Sequence, residues 1–154
     1  MNTTPGIKRL EQICRQKGTP LTNQRRAVLE VLLQRTDHPT ADQVHEAVQG
    51  RIPRTSRRTV YRVLEMLVAL GLARRVHHPG ADTRFDARME RHHHLVCIRC
   101  NRVVDFEGFR FDGIALPRGK PHGFEISDVS VQLLGTCPAC RKEKRKPRKE
   151  KTHE

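Results

Sequence analysis

Apolar residues recur at helical spacing in four stretches of the first 71 residues, separated by polar segments. The first stretch ends near Gly18 and places Cys14 on its apolar side, so we expect that thiol to be buried. Hydroxyl residues begin the other three stretches, where their oxygens can accept free backbone N–H groups, and Thr40 with Gln43 has capping-box spacing. The predicted helix starts are Thr22, Thr40 and Ser56, and the predicted ends are Gln34, Gly50 and Gly71.

The pattern changes to short strands after Gly71. Residues 72–77 and 83–86 are predicted strands joined by a turn-rich loop. Helices followed by such a hairpin have the order of a winged helix-turn-helix, in which residues 41–49 and 57–69 would form the helix-turn-helix. From about His92 the chain again predicts strands, over residues 94–97, 103–106 and 124–134.

The net charge of +13 is unevenly distributed. Residues 1–91 carry 17 Lys and Arg against 9 Asp and Glu, residues 92–140 carry 5 against 5, and residues 141–154 carry 8 against 3. The front part and the tail are therefore suited to phosphate, whereas the stretch between them is neutral. A generally basic, solubilising surface is the alternative, but the sharp change in charge favours nucleic acid.

The chain has no apolar run long enough to span a membrane and no signal peptide pattern. We therefore expect a cytoplasmic protein without a membrane partner, in which thiols stay reduced. Its five cysteines are then better interpreted as ligands plus one free thiol than as disulfides.

Four of the cysteines form two CxxC pairs, Cys97 with Cys100 and Cys137 with Cys140. Each pair can place two thiolates on one side of a metal, and two pairs complete the tetrahedral sulfur site that zinc favours. Because protein would fill all four positions, the predicted zinc is structural, joining segments separated by 36 residues. A redox-active CxxC and an iron–sulfur cluster are the alternatives. A thioredoxin-like motif, however, occurs once in a chain and lies near a βαβ pattern, and neither condition holds here.

Three consecutive histidines precede the first CxxC pair. Side chains alternate along a strand, so His92 and His94 would share one face and could grip one metal, while His93 points away. Nitrogen and oxygen donors without sulfur suit Fe(II), Mn(II) or Zn(II). Spacing links only the two histidines, and an accidental histidine run on a surface strand is the alternative. The further candidate donors are His38, Asp86 and Asp105.

These residues resemble the ferric uptake regulator (Fur) superfamily from about residue 8 to residue 140. The matching stretches are LTNQRRAVLEVL, HPTADQVHEAV, TSRRTVYRVLEMLVALGL, TRFDA, HHHLVCIRCNRVVDF and GTCPAC. The resemblance implies a homodimer that binds double-stranded operator DNA and needs no organic cofactor. Patterns and resemblance together predict an α+β fold. Its parts would be an N-terminal winged helix-turn-helix domain (1–88), a small C-terminal α/β dimerisation domain with a structural four-cysteine zinc site (89–140) and a disordered basic tail (141–154).

Within the family the residues are most similar to the peroxide-responsive branch, PerR. The resemblance implies a regulatory site for Fe(II) or Mn(II), and it implies that peroxide oxidises His38 or His92 when the metal is Fe(II). Asp86 distinguishes this branch, because iron-sensing relatives more usually carry Glu there; an iron or zinc uptake regulator is the alternative. The implied regulatory ligands are His38, Asp86, His92, His94 and Asp105.

The segment between Asp105 and Phe124 is helical in many relatives. Here it contains Pro117, Gly119 and Pro121, and we expect its helix to be short or missing.

Candidate DNA contacts lie at the starts of two predicted helices. Arg25, near the start of the second helix, is a candidate phosphate contact. A solvated surface charge is the alternative for any single arginine. The candidates at the start of the recognition helix are Arg57, Arg58, Thr59, Tyr61 and Arg62.

The predicted function is a metal-dependent transcription repressor and not an enzyme. A metal-dependent hydrolase is the alternative from another class. Five protein ligands would leave a substrate little room, and the sequence offers no separate general base.

Overall fold

The computed structural model describes residues 5–76, 82–90, 92–107, 114–115, 119–126, 129 and 131–142. The helices are α1 (Pro5–Gln16), α2 (Asn23–Leu33), α3 (Ala41–Gln49), α4 (Arg57–Ala69) and α5 (Pro138–Lys142). The strands are β1 (Arg74–Val76), β2 (Arg84–Asp86), β3 (His93–Cys97), β4 (Val103–Phe106) and β5 (Gln132–Gly135), and a 3-10 turn covers Pro121–Gly123. None of the described helices has the length and apolar character needed to cross a membrane.

The predicted caps set the starts of α2, α3 and α4. Thr22 Oγ1 accepts a backbone N–H from the first turn of α2 over 3.3 Å. Thr40 and Gln43 form the predicted capping box, in which each side chain accepts the other's backbone N–H, over 3.3 and 2.9 Å. Ser56 Oγ accepts the Thr59 backbone N–H at the start of α4 over 3.1 Å. Each such cap stabilises its helix by about 1 kcal/mol.

One apolar core joins the four helices to the hairpin that follows them. Burying each of its valine, leucine and isoleucine side chains contributes about 1.5–3 kcal/mol to stability. Cys14 belongs to this core and is 5% exposed, which confirms that its thiol is buried. The most deeply buried members include Ile7, Leu10, Val28, Leu29, Leu32, Val44, Val48, Val60, Leu64 and Leu67.

The hairpin of β1 and β2 completes the predicted winged helix-turn-helix order. A bridge between Thr40 and Arg84 ties β2 to the start of α3. Both strands are shorter than predicted. β1 starts late because the Leu72 N–H bonds to the Leu67 carbonyl over 2.9 Å and so ends α4 instead of joining a ladder. Residues 78–81 of the loop predicted between the strands lie outside the described residues, as does His77.

The remaining strands form a second sheet in the order β4-β3-β5. β3 and β4 run antiparallel, with His94 opposite Asp105, and β3 and β5 run parallel, with Cys97 opposite Gly135. The apolar core beneath this sheet is small and consists of Val76, Val96 and Val103. A sheet with so little core depends on other links for its stability.

The strand predicted over residues 124–134 was too long. Of the residues described in that range only 132–134 are strand, and the strand continues to Gly135. The chain turns at Pro121–Gly123, where His122 has a φ of 51°, and Phe124 beyond it is 71% exposed, with no strand beside it among the described residues. The four residues of β5 pair with the last four residues of β3. Of the segment between Asp105 and Phe124, where a short or missing helix is expected, residues 108–113 and 116–118 lie outside the described residues, and the described ones form no helix beyond the 3-10 turn.

Candidate metal centres and nucleic-acid face

Five side chains from three parts of the fold meet in one place, here called the histidine–aspartate centre. His38 comes from the loop between α2 and α3, and Asp86 ends β2. His92 and His94 lie on one face at the start of β3, as the alternation of a strand predicts, and Asp105 stands opposite His94 on β4. The polypeptide therefore brings together five residues, of which sequence spacing alone could connect only His92 and His94.

The nitrogen and oxygen atoms of this centre are close enough to share one ion. His38 Nε2 lies 2.8 Å from Asp105 Oδ1, and His92 Nε2 lies 2.9 Å from Asp86 Oδ2 and 3.1 Å from His94 Nε2. Ligand atoms of His38, Asp86, His92 and His94 all lie within 4.8 Å of one another. The three imidazoles and Asp86 are buried, whereas Asp105 is 23% exposed at its side chain.

Backbone carbonyls orient two of the imidazoles. His38 Nδ1 lies 3.1 Å from the Thr36 carbonyl, and His92 Nδ1 lies 2.8 Å from the Glu90 carbonyl. A carbonyl oxygen only accepts hydrogen bonds, so each Nδ1 must donate, which leaves the Nε2 lone pair directed at the centre. This is the tautomer that a metal-binding histidine needs.

Burial keeps the imidazole of His94 neutral. It lowers the pKa of His94 to about 4, and the neighbouring imidazoles of His38 and His92 add to that decrease. His94 is therefore unprotonated at neutral pH, and its nitrogen lone pair is available to a cation.

Three buried atoms facing the centre lack an aligned hydrogen bond: His38 Nε2, Asp86 Oδ2 and Asp105 Oδ1. Leaving such an atom unsatisfied costs about 1–3 kcal/mol, and native structures rarely tolerate several together. A divalent cation between them would satisfy all three. The donor set of three imidazole nitrogens and two carboxylate oxygens fits Fe(II), Mn(II) or Zn(II).

Two arginines that flank Asp86 along the chain, and that the sequence does not single out, contact this centre from outside. Arg84 Nη1 donates to the His38 carbonyl over 2.9 Å, at a residue whose φ of 52° is uncommon for a side chain with a Cβ. Arg88 donates to Asp105. Their spacing from Asp86 looks like that of any strand surface, so no sequence signal singles them out.

The thiol cluster consists of Cys97, Cys100, Cys137 and Cys140, whose sulfur atoms all lie within 4.8 Å of one another. Cys100 Sγ and Cys137 Sγ are 3.8 Å apart. A tetrahedral zinc site with bonds of about 2.3 Å has sulfur–sulfur edges of about 3.8 Å. The cluster therefore has the size of the predicted four-cysteine zinc site.

Backbone N–H groups favour the thiolate form at two of these cysteines. Those of Cys137, Cys100 and Arg99 lower the pKa of Cys97 to about 6, and that of Cys140 lowers the pKa of Cys137. The pKa of Cys140 is raised, first because its protonated thiol can donate to the sulfurs of Cys100 and Cys137 beside it. A cation among the four sulfurs displaces that proton, since thiolates are the form that binds zinc.

The start of α4 presents the candidate DNA contacts on the surface. Arg58, Tyr61 and Arg62 are exposed. Arg57 is also exposed, and it forms an ion pair with Asp42 of α3 in which Nη2 lies 2.5 Å from Oδ2. Thr59 is half-buried, and its hydroxyl lies 2.9 Å from that of Ser56.

Arg25 sits at the start of α2, where its guanidinium donates to the Pro20 carbonyl over 2.6 Å. That bond holds the side chain beside its own helix. At the start of α4, the exposed side chains of Arg58, Tyr61 and Arg62 could enter a major groove.

Comparison with known proteins agrees with these features. The sequence model of the Ferric uptake regulator family matches residues 16–134. The Peroxide operon regulator of Bacillus subtilis (strain 168) is 32% identical over 136 residues, which cover 88% of this chain and 94% of that protein.

Solved structures share the fold. The ferric uptake regulator Fur of Helicobacter pylori superposes with a TM-score of 0.75 at 18% identity, over 91% of this chain and 94% of that chain, a likeness that shows the fold alone. The peroxide stress regulator of Campylobacter jejuni superposes with a TM-score of 0.62 at 26% identity, over 87% of this chain and 98% of that chain.

Proposed function

Because the chain belongs to the ferric uptake regulator family, and is therefore a metal-dependent transcriptional regulator and not an enzyme, we propose that it is a peroxide-sensing repressor. Its regulatory metal, Fe(II) or Mn(II), would be held by His38, Asp86, His92, His94 and Asp105. The observation that carries this proposal is the histidine–aspartate centre, where three buried atoms lack aligned hydrogen bonds.

The origin of the five donors supports a regulatory role. His38 and Asp86 belong to the winged-helix part, whereas His94 and Asp105 belong to the second sheet and His92 directly precedes β3. A cation bound to both parts restricts their relative orientation, and hence the separation of the two recognition helices in a dimer. A ligand that binds one orientation more tightly shifts the population toward that orientation.

Peroxide is the signal that the residues favour. The centre contains aspartate at both carboxylate positions, as the PerR resemblance requires, and the 32% identical relative is a peroxide operon regulator. Fe(II), when bound, supplies the electrons that reduce peroxide. The residues' own contribution is to hold the imidazoles of His38 and His92 next to that cation, where they can be oxidised.

The thiol cluster has a different role in this proposal. Zinc held by Cys97, Cys100, Cys137 and Cys140 has no free position for a ligand and would serve only to join β3 to α5. The homodimer that presents two α4 helices would form through the part that this zinc stabilises. Its target would be double-stranded operator DNA in the cytoplasm, contacted through Arg57, Arg58, Thr59, Tyr61 and Arg62, with Arg25 on a phosphate.

The test compares operator binding by Fe(II)-loaded and Mn(II)-loaded protein before and after hydrogen peroxide. We expect binding to be lost in the iron form alone, together with a gain of one oxygen on a peptide containing His38 or His92. Indifference of both forms to peroxide would instead identify an iron or zinc uptake regulator. Operator binding that does not depend on Fe(II) or Mn(II) would contradict the proposal as a whole.

A further inference from the structure

Arg88 contacts both carboxylates of the histidine–aspartate centre from outside. Its backbone N–H donates to Asp86 Oδ1 over 2.8 Å, and its Nη1 donates to Asp105 Oδ2 over 3.3 Å. Its Nη2 forms an ion pair with Glu107, the residue two positions beyond Asp105. One residue that follows β2 therefore reaches across to β4.

These contacts divide the oxygens of each carboxylate between two tasks. Asp86 Oδ1 and Asp105 Oδ2 face Arg88, whereas Asp86 Oδ2 and Asp105 Oδ1 face the imidazoles, 2.9 Å from His92 and 2.8 Å from His38. The inward oxygens are the two that lack an aligned hydrogen bond. Arg88 donates only to the outward oxygens, so it does not compete with a cation for the inward ones.

We propose that Arg88 is a positioning residue for the regulatory metal, an inference that rests on the proposed metal site. It holds Asp105 with a single oxygen directed inward, and it does so before any cation arrives. Asp105 is the carboxylate that most needs this support, because it is the more exposed of the two, at 23% against 7% for Asp86. Losing an outer hydrogen-bond partner of a metal ligand typically lowers metal affinity by about 10–100-fold.

The positive charge of Arg88 acts in the opposite direction, because it repels a cation. Two features reduce that repulsion. The side chain is 39% exposed and its Nη2 is paired with Glu107, whose carboxylate offsets the charge. Repulsion between exposed groups is also screened by salt. Orientation of Asp105 is therefore the larger of the two effects.

The experiment measures Mn(II) affinity by calorimetry on zinc-replete protein. Arg88→Gln removes the charge and the second donor group, and we expect its affinity to fall about 10–100-fold. Arg88→Lys keeps the charge but loses the planar fork, so it should restore part of the affinity. Arg35→Gln is the matched control. Arg35 and Arg88 line one cavity of about 460 Å³ beside the histidine–aspartate centre. Arg35 pairs with Asp37, which is not a ligand, so the Mn(II) affinity of Arg35→Gln should equal that of the wild type.

A double-mutant cycle separates positioning from a general structural role. In an Asp105→Ala background, Arg88→Gln should change Mn(II) affinity less than about two-fold, because the carboxylate that Arg88 orients is absent. The melting midpoint of the metal-free protein should not change with Arg88→Gln, since exposed ion pairs contribute little to stability. Unchanged or tighter binding in Arg88→Gln, or an equal loss in both backgrounds, would overturn the inference while leaving the metal site intact. Absence of Mn(II) binding in the wild type would overturn both.

Discussion

Substituting Asp86 by asparagine tests the histidine–aspartate centre with the smallest change of shape. The asparagine side chain would keep an oxygen for the Arg88 backbone N–H, which Asp86 Oδ1 now accepts over 2.8 Å. It would lose the charged Oδ2, which lies 2.9 Å from His92 Nε2. The fold should therefore persist while one metal ligand disappears.

The expected loss follows from the position of that oxygen. Altering an outer partner of a metal ligand already costs about 10–100-fold in affinity, so removing a charged ligand should cost at least about 100-fold. At a Mn(II) concentration of about 100 times the wild-type Kd, binding stabilises the wild type by about 2.7 kcal/mol and the variant by no more than about 0.4 kcal/mol. At about 2–4 °C per kcal/mol for a chain of this size, Mn(II) raises Tm by about 5–11 °C in the wild type and by less than about 2 °C in the variant.

Thermal melting with and without Mn(II) measures this difference, with zinc content determined in parallel. Asp37→Asn is the matched control, since Asp37 lies beside His38 in sequence but is 55% exposed and pairs with Arg35. It should show the full wild-type shift, and both variants should retain their zinc. A full Mn(II) shift in Asp86→Asn would refute the assignment of Asp86 as a ligand.

Three further outcomes are expected. Cys137→Ser should lose bound zinc, measured by elemental analysis, while far-UV circular dichroism retains the signal of α1 to α4, which have their own core; retained zinc would exclude a four-thiolate site. Arg58→Ala and Arg62→Ala should each weaken operator binding in a fluorescence anisotropy titration, by about 1–3 kcal/mol where the side chain contacts a base. Both side chains are exposed, so neither substitution should lower Tm. A drop in Tm would indicate a structural role instead. The pKa of His94 falls from 6.5 to about 4 on folding, so between these values the unfolded chain binds more protons. Urea midpoints of protein without a regulatory metal should therefore decrease as pH falls from about 6.5 to 4 and stay level above that range, and a His94→Asn variant should show a flatter profile.

Local rules predicted most of the helical part. The caps at Thr22, Thr40 and Ser56 involve only residues three or four positions apart, so sequence alone determines them. Alternation along a strand likewise predicted that His92 and His94 share a face. The four cysteines were found because the CxxC spacing itself builds half of a site.

Contacts between distant segments could not be predicted this way. His38, Asp86 and Asp105 converge only because β2 is bridged to the start of α3 and β4 pairs with β3. Spacing contains no trace of those pairings, and family resemblance alone suggested the full set. Arg84 and Arg88 escaped notice because an arginine on or just after a strand is usually a solvated charge. The extent of β5 was overestimated because an apolar run does not reveal how long its partner strand is.

The parallel pairing of β3 with β5 has a consequence for how a new chain matures. β3 and β4 are joined by five residues and can pair locally, whereas 25 residues separate the end of β4 from the start of β5. Closing that longer connection is entropically unfavourable for a four-residue strand, until both CxxC pairs hold one ion next to the Cys97–Gly135 pair. We expect β5 to dock last, and only in a zinc-replete cell. Newly synthesised chains would then complete the second sheet at a rate set by the zinc supply, before the regulatory metal or peroxide can act on them.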